Sequence, residues 1–126
     1  MHWISGDSTS SSLPNKIRKE WGDGIQFDFI VDDGGHWPEC NHKTLQNCFP
    51  FLKENGVYFI EDVWMLEWSA CSNHYWVRKH PQRFNILDHY SLMDEVKKND
   101  FKIYDYGNRG NGENPESVII RIKGVA

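Results

Sequence analysis

Two short apolar runs, each closed by a pair of acids, dominate the polarity pattern of the chain. Phe27, Phe29, Ile30 and Val31 form the first and end at Asp32-Asp33; Val57, Tyr58, Phe59 and Ile60 form the second and end at Glu61-Asp62. Their β-branched and aromatic content, with little alternation, predicts strands buried on both faces of a parallel sheet. Between them, Asn41 to Lys53 predicts a helix stopped by the Asn55-Gly56 turn signal. Parallel strands need a right-handed crossover of this kind, and neighbouring strands lie about 4.8 Å apart. The two acidic pairs therefore emerge side by side at the carboxyl edge, where open α/β sheets bind ligands.

The flanking segments are read in the same way. Ser8 to Ser12 is a polar loop, and Pro14 suits the first turn of a short helix through Trp21, which Gly22-Asp23-Gly24 ends. Val63 to Trp76 is rich in aromatics without clean periodicity, which allows either the wall of a ligand pocket or a segment packed on the sheet. Asn85 to Asn99 reads as a helix, with Ile86, Leu87, Tyr90, Met93 and Val96 at helical spacing. Phe101 to Tyr106 and Ser117 to Lys123 read as strands joined by the Gly/Asn-rich loop 107–116, an antiparallel closing hairpin.

Paired acids at adjacent strand ends raise each other's pKa unless a positive group sits between them. A hard divalent cation is the simplest such group, and oxygen ligands without a Cys cage favour magnesium or calcium over zinc. His36 follows Gly34-Gly35, whose backbone freedom lets the chain turn and present the imidazole to the same crevice. A histidine beside a Lewis acid suits deprotonation of a hydroxyl. The competing reading is a set of loop carboxylates capping the following helices. Two pairs at matching strand ends with His36 beside them favour the metal. Asp32 either points into the sheet or contacts a ligand. A zinc site from His36, Cys40, His42 and Cys48 matches no closed structural spacing.

Composition narrows the function classes. The 126 residues carry 14 Lys plus Arg against 18 Asp plus Glu, a formal net charge of -4, with no basic stripe to track a nucleic acid backbone. Hydrophobic residues at 39% and charged residues at 25% are globular values, enough for one domain. Three cysteines, Cys40, Cys48 and Cys71, cannot all pair with one another, and no Asn-x-Ser/Thr sequon occurs, so a cytoplasmic location is the expectation. No apolar run approaches a membrane span, and the opening MHWISGDS lacks the regions of a signal peptide.

The double motif DDGGH and GVYFIED resembles the metal-dependent class I S-adenosylmethionine O-methyltransferases of the macrolide type. The resemblance runs from about Gly6 to Lys123, with Gly35 standing where the family usually has Ser. It implies that Asp33, Glu61 and Asp62 bind magnesium, that His36 is the general base, and that S-adenosylmethionine is the cofactor. Gly6-Asp7 is similar to the Gly-Asp after the family's third strand, whose acid lies near the cofactor adenine; otherwise Asp7 simply begins the polar loop. Asp32 is the second cofactor-binding candidate.

The implied fold is α/β, a partial Rossmann-like methyltransferase sheet comprising strands three to seven. Its opening Gly-rich turn and ribose-binding acid have no counterpart here, so a single domain, 1–126, incomplete at its amino-terminal side is the expectation. The expected function is metal-assisted methyl transfer to the hydroxyl of a small molecule, a sugar by family likeness, with no nucleic acid or membrane partner. A homo-oligomer or a separate amino-terminal half would complete the sheet. The alternatives are a noncatalytic remnant or metal-binding partner subunit, and metal-assisted hydrolysis in which His36 activates water.

Overall fold

A computed structural model describes residues 2–63, 75–83, 85–106 and 118–124. Its elements are α1 (Leu13–Trp21), β1 (Phe27–Asp32), α2 (Pro38–Cys48), a single 3-10 turn (Phe49–Phe51), β2 (Leu52–Ile60), α3 (Tyr75–Lys79), α4 (Ile86–Val96), β3 (Asp100–Asp105) and β4 (Val118–Lys123). The four strands form one sheet in the order β1-β2-β4-β3. β1 and β2 run parallel, with Ile30 opposite Tyr58 and Asp32 opposite Ile60. β4 lies antiparallel to both β2 and β3. The expected parallel pair and closing antiparallel pair are both present, whereas the expected strand at the amino-terminal side is not among the four. There Ile4 packs against the cluster of Leu13, Ile17 and Phe51.

The helix between the parallel strands differs from the expectation at both ends. It starts at Pro38 rather than Asn41, because a proline at the first helical position loses no hydrogen bond and already has a helical φ. It stops at Cys48 and tightens into the turn Phe49–Phe51, which carries Pro50, a residue with no N–H to continue an α-helical ladder. Leu52 to Gly56, expected as helix end and turn, belong to β2 instead, where Leu52 lies opposite Phe27. Asn55-Gly56 sits within that strand, Asn55 at a φ of 62°, close to where the register with β1 shifts.

Alternation along the strands sorts them into two faces. On one face Tyr58, Ile60, Val118, Ile120 and Ile122 pack with Leu45 of α2 and with Leu92, Met93 and Val96 of α4 into one core. On the other, Phe29 is 69% and Val31 is 55% exposed. The expectation that β1 is buried on both faces is therefore corrected. Among the described residues, α2 and α4 lie on the Tyr58 side of the sheet, the one face of β1 that they cover.

Most of the aromatic segment 63–76, the loop 107–116 and Cys71 lie outside the described residues; Tyr75, at the start of α3, is exposed. Among the described residues no helix is long and apolar enough to cross a membrane.

Candidate metal centre

Both acidic pairs leave the sheet at the carboxyl ends of β1 and β2. The amide of Glu61 donates to the carbonyl of Asp32 at 2.9 Å, which extends the parallel pairing one step beyond the strands and fixes one turn against the other. Asp62 then adopts a φ of 49°. Left-handed backbone of this kind is uncommon for residues with a side chain, although aspartate tolerates it better than most. On the other turn Gly34 and Gly35 allow close approach: a Cβ on Gly34 would lie 3.1 Å from Asp32 Oδ1, and one on Gly35 would lie 3.2 Å from the Cys40 sulfur.

These turns bring Asp33, His36 and Asp62 together, each offering a ligand atom within 4.8 Å of the others. His36 Nε2 lies 3.9 Å from Asp62 Oδ2, with the Asp62 side chain half exposed. His36 Nδ1 is buried and has no hydrogen-bond partner. The two exposed carboxylates match the oxygen donors of a hard divalent cation, with the imidazole of His36 beside them. Glu61 is not part of this group of three. No zinc cage forms: Cys40, His42 and Cys48 join no such group among the described residues, and burial pushes the Cys48 thiol up to about 11.

Asp32 has a different fate from Asp33. It is only 4% exposed. Its Oδ1 accepts the Gly34 amide at 3.2 Å, and its Oδ2 accepts the Asn41 side-chain amide at 3.3 Å. Burial raises its pKa, partly offset by those two bonds. Asp7 is exposed, and its Oδ1 accepts both the Thr9 amide at 2.9 Å and the Thr9 hydroxyl at 2.7 Å. These bonds hold its pKa below the ordinary carboxylate value. They also make Asp7 the first residue of a local turn.

The inward side of α2 contributes residues absent from the sequence-based candidates. Thr44 pairs with Ser8 through their hydroxyls at 3.0 Å, and the Asn47 side-chain amide donates to the Ser8 and Ser10 carbonyls at 2.9 Å each. With Asn41 they form a polar row at three-residue spacing. That row ties the Asp7 loop to the same helix that meets the Gly34 turn. A row of small polar residues inside an amphipathic helix was the available signal. Close by, Thr9, Trp37, Glu39, Cys40, Lys43 and Arg83 line a cavity of about 200 Å³.

No family model matches the chain. Over 67 residues, 53% of its length, it is 31% identical to mycinamicin VI 2''-O-methyltransferase of Micromonospora griseorubida and 29% identical to demethylmacrocin O-methyltransferase of Streptomyces fradiae. The matched stretch covers 16% of each of those relatives. Among solved structures, the MycE methyltransferase of the mycinamycin biosynthetic pathway, crystallised with Mg and SAH, superposes with a TM-score of 0.54 at 23% identity. That match takes in 97% of this chain and 31% of the MycE chain. The described residues thus share the fold of part of the MycE methyltransferase, and about half of the chain resembles the macrolide O-methyltransferases in sequence.

Proposed function

We propose that this chain provides the divalent-cation site of an O-methyltransferase that moves a methyl group from S-adenosylmethionine to a hydroxyl of a small molecule. The observation that carries this reading is the convergence of Asp33, His36 and Asp62 at the carboxyl ends of two adjacent parallel strands. Sequence likeness to O-methyltransferases, and a fold neighbour crystallised with Mg and SAH, supply the cofactor and the metal. A bound cation would supply Lewis acidity that favours loss of the hydroxyl proton, and the cofactor would supply the methyl group.

The residues divide the remaining work. Asp33 and Asp62 would hold the cation from opposite turns, and Glu61 lies next to Asp62 on the same turn. His36 takes the hydroxyl proton at a ring nitrogen, and the Asp62 carboxylate 3.9 Å away stabilises the resulting imidazolium. Of the pair Asp7 and Asp32, Asp7 is the one suited to face the cofactor, because it is exposed and both of its bonds from Thr9 fall on Oδ1. The carboxylate of Asp32 would have to leave two hydrogen bonds to reach a ligand. The acceptor belongs to the small-molecule hydroxyl class, a sugar by family likeness.

Calorimetric titration with magnesium chloride tests the metal site. Asp62→Asn should weaken binding by more than about tenfold, the cost of losing a group that supports a ligand from behind. Equal affinity in that variant would remove Asp62 from the site. In an enzyme containing this chain, His36→Ala should lower methyl transfer by about a hundred- to ten-thousandfold, the range for a positioned general base. Metal binding without any methyl transfer would instead mark the chain as a noncatalytic metal-binding partner.

A further inference from the structure

We infer that Asn41 is a positioning residue for the metal centre, acting through Asp32 on the turn that carries Asp33 and His36. The inference rests on the metal reading above.

Asn41 is fully buried in α2. Its amide nitrogen faces Asp32 Oδ2 at 3.3 Å, and an ionised carboxylate can only accept, so the amide cannot be turned over without losing that bond. In this orientation Asn41 Oδ1 is buried with no partner. An unmade hydrogen bond on a buried carbonyl oxygen is unfavourable, so Asn41 is a poor choice for packing alone at this place. What it gains is a grip on Asp32, whose other oxygen takes the Gly34 amide at 3.2 Å.

The chain Asn41 to Asp32 to Gly34 therefore runs from α2 to the turn whose neighbouring residues supply two of the three converging groups. A side chain at position 34 would press on the same clamp, since its Cβ would crowd Asp32 Oδ1 at 3.1 Å while meeting Ser8 Oγ at 3.6 Å. Residues that orient metal ligands from behind act on affinity without touching the ion.

The test uses manganese as the probe and three variants: Asn41→Leu, Asn41→Asp, and the exchange Asp32→Asn with Asn41→Asp. The exchange rebuilds both bonds, because asparagine at 32 can donate to the new carboxylate and still accept the Gly34 amide. Manganese affinity, the metal-free melting temperature and hydrogen exchange of the Gly34 amide are read for each.

Asn41→Leu should weaken manganese about tenfold and speed Gly34 exchange, even where the melting temperature holds. The exchanged pair should recover affinity to within about twofold of the parent on the same scale. Parental affinity in Asn41→Leu, or an exchanged pair that recovers melting temperature without affinity, would overturn the inference. Should Asn41→Leu fail to fold, the contrast between Asn41→Asp and the exchanged pair decides. If the parent binds no manganese while Asn41→Leu loses Gly34 protection, the metal reading fails and the ordering of the turn stands. Unchanged Gly34 exchange would remove the ordering as well.

Discussion

The ends of β1 and β2 carry the same kind of acidic pair, and the structure fixes them by different means. At β1 the first acid, Asp32, is buried and holds its turn from inside through Gly34 and Asn41, while Asp33 stands free at the surface. At β2 the first acid, Glu61, ties its turn through a backbone bond to Asp32, and the second, Asp62, is delivered by a left-handed backbone. In each pair the second acid reaches the cluster. One end relies on side-chain bonds and the other on local conformation, so equivalent substitutions at the two ends should have unequal effects.

The largest expected difference is the loss of metal binding when both ends are changed. Asp33→Asn and Asp62→Asn should each reduce magnesium affinity about tenfold or more by calorimetry, and the two together should abolish it. A double variant that still binds like either single one would show that the two ends do not share an ion. Next, removing the side-chain clamp should be felt in stability: Asp32→Leu leaves the Gly34 and Asn41 donors unpaired and should cost about 1–3 kcal/mol per stranded group by urea denaturation. A loss no greater than that of an exposed surface substitution would place the hold on β1's turn elsewhere.

A smaller effect is expected where conformation replaces bonds. Asp62→Gly and Asp62→Ala remove the same carboxylate, yet the glycine variant should be the more stable by about 1 kcal/mol, because only alanine suffers at positive φ. Equal stabilities would mean that the backbone relaxes out of that region. The smallest effect is reserved for Glu61→Gln, expected to weaken magnesium by only a few-fold, about 1 kcal/mol or less of the metal's binding free energy. A loss matching that of Asp62→Asn would show that the Glu61 carboxylate swings into the cluster once an ion is present.

The strand ends were the most legible part of the sequence, because β-branched and aromatic runs closing on acids name both an element and its edge. The carboxylates of the two pairs cannot be ranked the same way: Asp32 and Asp33 are identical in type, and only packing against α2 tells which is inside. Asn41 was hidden because its meaning depends on Asp32 being buried. The helix start at Pro38 carried a local signal, whereas the recruitment of Leu52 to Gly56 into β2 depended on Phe27 lying opposite, a contact across 25 positions of chain. The exposure of Phe29 and Val31 is likewise set by which side α2 and α4 take, which no local pattern declares.

The backbone at Asp62 also bears on which sequences can occupy this position. Its φ of 49° suits glycine, asparagine and aspartate, and the proposed ion demands a carboxylate. Aspartate is the single side chain in both sets. Glutamate, the usual acidic replacement, has the charge without the backbone tolerance, and asparagine has the tolerance without the charge. A saturation library at this codon, selected for metal-dependent activity, should therefore be enriched most strongly in aspartate, while the same library ranked by stability alone should place glycine, asparagine and aspartate near the top.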